Sequence, residues 1–170
     1  MLISSLKKLS SIINSINKVA GYLCAFLVIL MTLNVFLVVV LRYLFGISFI
    51  WLQETYVWMH AYIFMAGAGY TYLNNAHVRI DIIYRSSSNI YKSLVDFIGN
   101  TFLLIPFLYI IWSYSFPFVY KSWEINEISR EAGGLQMLFL LKAAILIFAF
   151  LLFIQAISKI INNFITLIKK

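Results

Sequence analysis

Four long apolar runs divide the chain, and short polar connections separate them. The runs cover about residues 19–41, 49–73, 97–120 and 136–161. At about 1.5 Å of rise per helical residue, the first run reaches roughly 35 Å, which is enough to cross a hydrocarbon core of about 30 Å. The pattern therefore predicts an all-α integral membrane protein with four transmembrane helices.

Residues 1–18 follow a different pattern. Leucine and isoleucine recur there at helical spacing, with serine, asparagine and lysine between them. Such a segment is too polar to span a bilayer but amphipathic enough to lie in its interface. We expect an N-terminal amphipathic interfacial helix over residues 1–18; the alternatives are a solvated helix or an extension of the first span.

Local sequence predicts where the helices end, bend or approach one another. Gly46 can end the first helix, and Ser48 can cap the second. Pro106 lies in the middle of the third run and should kink it, because proline has no backbone N–H to donate. The Ala-Gly-Ala-Gly segment at 66–69 would let neighbouring helices approach closely.

The distribution of basic residues predicts the orientation, since the cytoplasmic connections of membrane proteins are enriched in Lys and Arg. Nine of the 13 Lys and Arg residues lie in the N-terminal segment, the connection between the second and third runs, and the C-terminal end. Three lie in the other two connections. We therefore expect an N-in/C-in topology.

Composition narrows the class of protein further. The chain is 63% hydrophobic and 11% charged, which is far too apolar for a water-soluble domain of 170 residues. The net charge of +7 does not indicate nucleic-acid binding, because the basic residues lie between the apolar runs instead of forming a basic surface. The only cysteine, Cys24, lies inside an apolar run and is expected to be an inert thiol.

The sequence contains no motif that predicts catalysis or a cofactor. We find no phosphate-binding glycine loop, no Cys/His cluster and no nucleophile with a base at a recognisable spacing. His60 is the one histidine well inside a span, whereas a bis-histidine haem would need a second at similar depth. We therefore expect His60 to be hydrogen-bonded between helices.

Ionisable residues inside the runs are more informative, because they are costly in a membrane unless paired or wet. Glu54 lies more than one turn into the second run, and Lys142 lies about two turns into the fourth. Arg42 ends the first run on the same side. One hypothesis is that Glu54 pairs with Arg42 or Lys142; the alternative is that it snorkels to the interface.

Several short motifs occur in a definite order along the chain. They are Arg42, Tyr43 and Phe45 after the first run; Trp51 and Glu54 at the start of the second; His77-Val78-Arg79-Ile80-Asp81 after it; Trp123-Glu124-x-x-Glu127-Ile128-Ser129-Arg130-Glu131-Ala132-Gly133-Gly134 before the fourth; and Lys142 and Gln155 within it. This order resembles the small membrane subunit of tripartite ATP-independent periplasmic (TRAP) transporters, the DctQ-like family, over almost the whole chain. Gln136 departs from the pattern, where the family leads us to expect proline.

The resemblance implies a non-enzymatic subunit of the bacterial inner membrane. In that family a larger membrane subunit carries the substrate and sodium sites, and a periplasmic protein delivers a substrate that is typically an organic acid. Uptake is driven by ion gradients, and the small subunit braces the large one and helps to present a docking surface. The motif residues then become candidates for structure or interface, with no catalytic, cofactor or metal role, and residues 123–131 would lie near the docking surface.

Two other classes compete with this interpretation. One is a membrane anchor of a redox enzyme that holds haem or quinone, and the single well-buried histidine counts against it. The other is a small self-sufficient exporter that works as a dimer. Such exporters usually carry a carboxylate near the middle of the first span, where this chain has Asn34.

Overall fold

The structure is a computed structural model, and it describes residues 2–78 and 87–168. Helices account for nearly all of these residues. Their bounds are α1 Leu2–Leu44, α2 Ile50–Leu73, α3 Asn89–Gly99, a π turn at Asn100–Leu104, α4 Ile105–Glu124 and α5 Leu138–Ile168. The helices follow the four apolar runs, with α3, the π turn and α4 together forming the third.

Three helical stretches of the described chain are long and apolar enough to cross a membrane: Ile3–Leu44, Asn89–Glu124 and Leu138–Ile168. Helix α2 is not among them. It has 24 residues, so length is not what excludes it. Its sequence contains Gln53, Glu54, His60 and several tyrosines and glycines, which lower its mean hydropathy.

Helix α1 runs without a break through residues 2–18 and on to Leu44. Residues 2–18 thus continue the helix of the first span, which agrees with the extension named above as an alternative to a separate interfacial helix. Polar side chains in residues 2–18 contact α5, and these contacts hold the segment against the bundle. Ser10 and Asn17 are buried, and both bond to side chains of α5 instead of headgroups or water.

The connection from α1 to α2 is short. Gly46 has φ +68°, a left-handed conformation that glycine adopts at low cost and that confirms the predicted helix end. The Ile47 N–H donates to the Leu41 carbonyl at 3.0 Å. Phe49 is the N-cap residue of α2, and Ser48 does not cap it; its hydroxyl instead accepts a 2.7 Å bond from the Gln53 amide.

A π turn lies close before Pro106, the residue at which the sequence predicts a kink. The Ile105 N–H donates to the Asn100 carbonyl, five residues back. A proline ring crowds the carbonyl four residues earlier and leaves it without a donor, and a wider turn accommodates both effects. The buried Asn100 side chain also fixes this turn, because its Oδ1 accepts a 2.5 Å bond from the Tyr72 hydroxyl of α2.

Helix α5 is the centre of the bundle. Helices α1, α2, α3 and α4 all pack against it, and α1 and α2 also pack against each other. Small buried residues along α5 permit this close packing, among them Ala144, Ala149 and Ala156. Helix α5 begins at Leu138, after Met137 in a left-handed conformation, and continues to Ile168, beyond the predicted end at 161.

A buried polar seam joins α1 to α5. It consists of the buried residues Ser10, Asn17, Gln155 and Ser158, the half-buried Asn14 and, at its exposed end, Asn162. The Asn17 amide donates to Gln155 Oε1 at 2.9 Å, and the Ser10 and Ser158 hydroxyls lie 2.7 Å apart. Hydrogen bonds between membrane helices contribute about 0.6 kcal/mol each on average, so the seam fixes the register of α1 on α5 more than it adds stability.

Gly69 is the point where α2 meets both α1 and α5. A Cβ built there would overlap Asn17 Oδ1 and lie 3.2 Å from Leu151 Cβ. Asn17 Oδ1 has no N–H or O–H partner among the described residues, and the Gly69 Cα–H is placed to act as its weak donor. The close approach predicted for the Ala-Gly-Ala-Gly segment is confirmed at this residue.

We expect Gly69→Ala to destabilise the folded protein by about 1–3 kcal/mol, because the added methyl group must displace Asn17 or Leu151. The measurement is the free energy of unfolding in detergent. Gly99→Ala is the matched control, since a Cβ there meets nothing within 4 Å. Alanine is the better helix former, so the control should be neutral or up to about 1 kcal/mol more stable. Equal stability of the two variants would contradict the packing described.

Candidate functional site

A cluster of polar contacts holds the α4–α5 loop, residues 125–137, against the ends of three helices. We call it the loop clasp, and its members are Glu54, Ser122, Glu127, Ser129, Leu135 and Lys142. Five of these six residues have charged or hydroxyl side chains, and they come from α2, α4, α5 and the loop itself. Three of the candidate residues from the sequence belong to the clasp: Glu54, Glu127 and Lys142.

Glu54 of α2 bonds to the loop through both carboxylate oxygens. Its Oε1 accepts from the Ser129 hydroxyl, and its Oε2 accepts from the Leu135 N–H at 2.5 Å. Gly134 is required beside it, because a Cβ there would lie 2.8 Å from Glu54 Oε2. Pairing of Glu54 with Arg42 or Lys142 is thus wrong: a hydroxyl and a backbone N–H satisfy this carboxylate.

Lys142 bonds to Glu127 and so joins α5 to the loop. Its ammonium donates to Glu127 Oε2, and it also lies 4.2 Å from the centre of the Phe118 ring. The Ser122 hydroxyl at the end of α4 donates to the same carboxylate oxygen at 2.6 Å. These bonds from Lys142 and Ser122, with the positive charges of Lys142 and Arg130, lower the pKa of Glu127 below its ordinary value.

Backbone bonds complete the loop. The Ser129 N–H donates to the Leu135 carbonyl at 3.0 Å, and the Leu138 N–H donates to the Glu127 carbonyl at 2.7 Å. Gly133, at φ +78°, makes the turn between them. The loop is therefore held at its base by side chains of the clasp and internally by its own backbone.

The outer surface of this loop carries exposed apolar side chains next to charged ones. Ile125, Ile128 and Met137 are exposed, and so is Trp123, whose ring packs on Phe139 with 4.6 Å between centroids. The exposed charged residues beside them are Glu124, Arg130 and Glu131. A firmly held surface of this composition can bind another protein, but it offers no nucleophile paired with a base.

The other candidate residues lie apart from the clasp. Arg42 is exposed in the last turn of α1, and the exposed Trp51 ring lies 6.1 Å from that of Phe49. Gln155 belongs to the buried seam on α5. Arg79 and Asp81 lie outside the described residues.

His60 is exposed on α2 and makes no hydrogen bond within the described part of the chain. The expected bond between helices of this chain is therefore not present there. Among residues 2–78 and 87–168, no three His, Cys, Asp or Glu side chains lie close enough together to bind a metal ion.

Sequence reasoning missed Lys159 and Asn75, which hold the far end of α2. The Lys159 ammonium donates to Asn75 Oδ1 at 2.6 Å and to the Leu73 carbonyl at 3.3 Å. A cation is favoured there because the carbonyl end of a helix carries partial negative charge. The Asn74-Asn75 pair was a readable signal, since asparagine tolerates the left-handed conformation found at Asn75.

Sequence reasoning also missed the seam. Its signal was a polar stripe on each of two helices, at 10, 14 and 17 on α1 and at 155, 158 and 162 on α5. Both stripes have the spacing of a single helix face, so each predicts a buried polar contact once the two helices are known to be neighbours.

These features define a class: an α-helical, multi-pass membrane protein whose interior polar groups hold helices and one loop in place. A family model described as the DctQ component of tripartite ATP-independent periplasmic transporters matches residues 31–166. The match covers most of the chain, which therefore belongs to the DctQ family, part of a transporter with a large membrane subunit and a periplasmic binding protein. No curated protein and no solved structure matches the chain.

Removing the Glu54 carboxylate tests the clasp. Glu54→Ala leaves the Ser129 hydroxyl and the Leu135 N–H without their acceptor, at a cost of about 1–3 kcal/mol. Amide hydrogen exchange in residues 129–135 should then be roughly tenfold faster or more. Glu131→Ala is the control, because its side chain is exposed and outside the clasp. Unchanged exchange in Glu54→Ala would show that the loop is held by other contacts.

Proposed function

We propose that this chain is the non-catalytic small transmembrane subunit of a TRAP-type secondary transporter in the bacterial inner membrane. In this proposal it crosses the membrane four times, with the start of α1 and the end of α5 on the cytoplasmic side. The membership in the DctQ family supports the assignment to the transporter.

The packing of α2 along α5 supports the fourth crossing. Glu54, near the start of α2, contacts the loop that precedes α5. At the other end of α2, the Leu73 carbonyl contacts Lys159, near the end of α5. Helix α2 therefore extends beside much of the length of an apolar helix that is long enough to span a bilayer.

Contacts between α1 and α5 support placing their free ends on one side. Ser10 of α1 bonds to Ser158 of α5, so the start of the first helix lies beside the final part of the last. The α4–α5 loop lies at the opposite end of the bundle, beside the first turns of α2. The excess of Lys and Arg at the first of these ends favours a cytoplasmic location for it.

The α4–α5 loop supports a role in docking. Its base is fixed by Glu54 and Glu127, while Ile125 and Ile128 on its surface are exposed. Apolar groups kept exposed on a preorganised loop indicate a protein contact, because binding then requires little further ordering. In the proposed topology this loop faces the periplasm, where a substrate-binding protein would reach it.

The transport chemistry belongs, in this proposal, to the large membrane subunit. That subunit would bind the substrate, an organic acid, and the sodium ions that drive uptake. This chain would brace it and would need no cofactor of its own. Neither a redox-enzyme anchor nor a self-sufficient exporter gains support from the family assignment.

The test is uptake of an organic acid into proteoliposomes that hold this chain and its cognate large subunit, with the binding protein outside. We expect uptake to require all three proteins and an inward sodium gradient. Ile128→Glu should raise the binding-protein concentration that gives half-maximal uptake by about tenfold, because it places a charge in an apolar contact. Ile128→Leu, which keeps the apolar surface, should behave as wild type. Full uptake without this chain would refute the proposal.

A further inference from the structure

Helix α2 has one side that no other part of the described chain covers. Val57, His60 and Phe64 lie there at the i, i+3, i+7 spacing of a single helix face, and all three are exposed. We call these three residues the α2 stripe. Phe64 is 71% exposed and Val57 is 50% exposed.

The other sides of α2 are occupied within the chain. Tyr70 lies against Gly21 of α1, and Gly69 lies against Leu151 of α5. The Tyr62 hydroxyl donates to the Leu140 carbonyl of α5 at 2.6 Å. The stripe therefore faces whatever surrounds the bundle, lipid or protein.

Lipid is a poor neighbour for the stripe because of His60. This residue lies near the middle of Ile50–Leu73, far from both the Glu54 end and the Lys159 end of the helix. A histidine at that depth has no water to bond to, and lipid tails offer it neither donor nor acceptor. Its imidazole has no partner within the described residues.

Helix α1 shows what a lipid-compatible surface on this protein looks like. Its exposed residues at the same depth are apolar, such as Ile29 and Phe36, and the Thr32 hydroxyl there is satisfied by the Val28 carbonyl at 2.9 Å. On α2, an unpartnered histidine lies between the exposed apolar residues Val57 and Phe64, and α2 is not among the helices apolar enough to be candidate spans. The contrast indicates that protein covers the stripe.

We propose that the α2 stripe packs against a transmembrane helix of the large TRAP membrane subunit, and that His60 exchanges a hydrogen bond with a polar group on that helix. The inference rests on the proposed function, since it assigns the face that meets the large subunit. Ala61 and Ala68 lie beside the stripe, and their small side chains allow a neighbouring helix to approach closely.

The test is site-specific photocrosslinking in membranes that contain this chain and its tagged cognate large subunit. The photoreactive residue p-benzoylphenylalanine replaces Phe64 or Val57 in the stripe. The controls replace Phe36 of α1 and Tyr114 of α4, which are 65% and 78% exposed on other helices. We expect adducts with the large subunit from both stripe positions and none from the control positions.

A second measurement addresses the hydrogen bond itself. We expect His60→Leu to reduce the amount of large subunit that co-purifies with this chain by about threefold, the effect of one interhelical hydrogen bond of average strength. His60→Gln keeps a donor and an acceptor and should restore most of it. Equal recovery with His60→Leu and wild type would overturn the role assigned to His60.

The outcomes separate the two proposals. If the large subunit co-purifies but the stripe crosslinks to lipid alone or to a second copy of this chain, the interface assignment is wrong and the proposed function stands. Adducts from Tyr114 or Phe36 in place of the stripe have the same meaning. If no large subunit co-purifies with the wild-type chain, the proposed function fails and this inference fails with it.

Discussion

In the proposed four-span topology, α2 carries a carboxylate, a histidine and several small residues, so it cannot face lipid on all sides. This constraint on α2 organises the molecule. Lipid tails offer polar side chains no hydrogen-bond partners, so the polar faces of such a helix must contact protein. Helix α1 covers one side of α2 and α5 covers another. Glu54 at one end bonds to the α4–α5 loop, and the carbonyl of Leu73 at the other end bonds to Lys159. The remaining side, centred on His60, is the one that residues 2–78 and 87–168 leave uncovered.

The polar groups in the interior give the bundle a fixed arrangement. The seam between α1 and α5 sets their register, and Gly69 lets α2 enter the same junction beside Asn17. Through Glu54 and Lys142, the loop clasp then holds the α4–α5 loop in a fixed position against these helices. A protein built in this way holds its surface in a fixed shape, which agrees with the bracing role that we propose for it.

Much of the fold was readable from the sequence, because long apolar runs separated by polar connections can form little else in a membrane. The family was readable as well, from the order of motifs between Arg42 and Gln155. Partners across the fold were not. The polar residues of segment 1–18 suggested an interfacial helix, since nothing in their own sequence shows that α5 supplies matching groups. A cation was one hypothesis for the partner of Glu54, because a hydroxyl and a backbone N–H in a distant loop leave no charge signal. The exposure of His60 on the outside of the bundle was not predicted either, because its depth in the second run does not show which helix face it lies on.

The most direct test of this account is the sidedness of the two ends of α2. In a Cys24→Ala background, Ala76→Cys places a thiol just after α2, and Ala132→Cys places one in the α4–α5 loop; both positions are exposed. Spheroplasts are treated with a membrane-impermeant maleimide before and after permeabilisation. If α2 crosses the membrane, Ala132→Cys reacts from outside and Ala76→Cys reacts only after permeabilisation. Reaction of both thiols from the same side of the membrane would mean that α2 does not cross and would contradict the account.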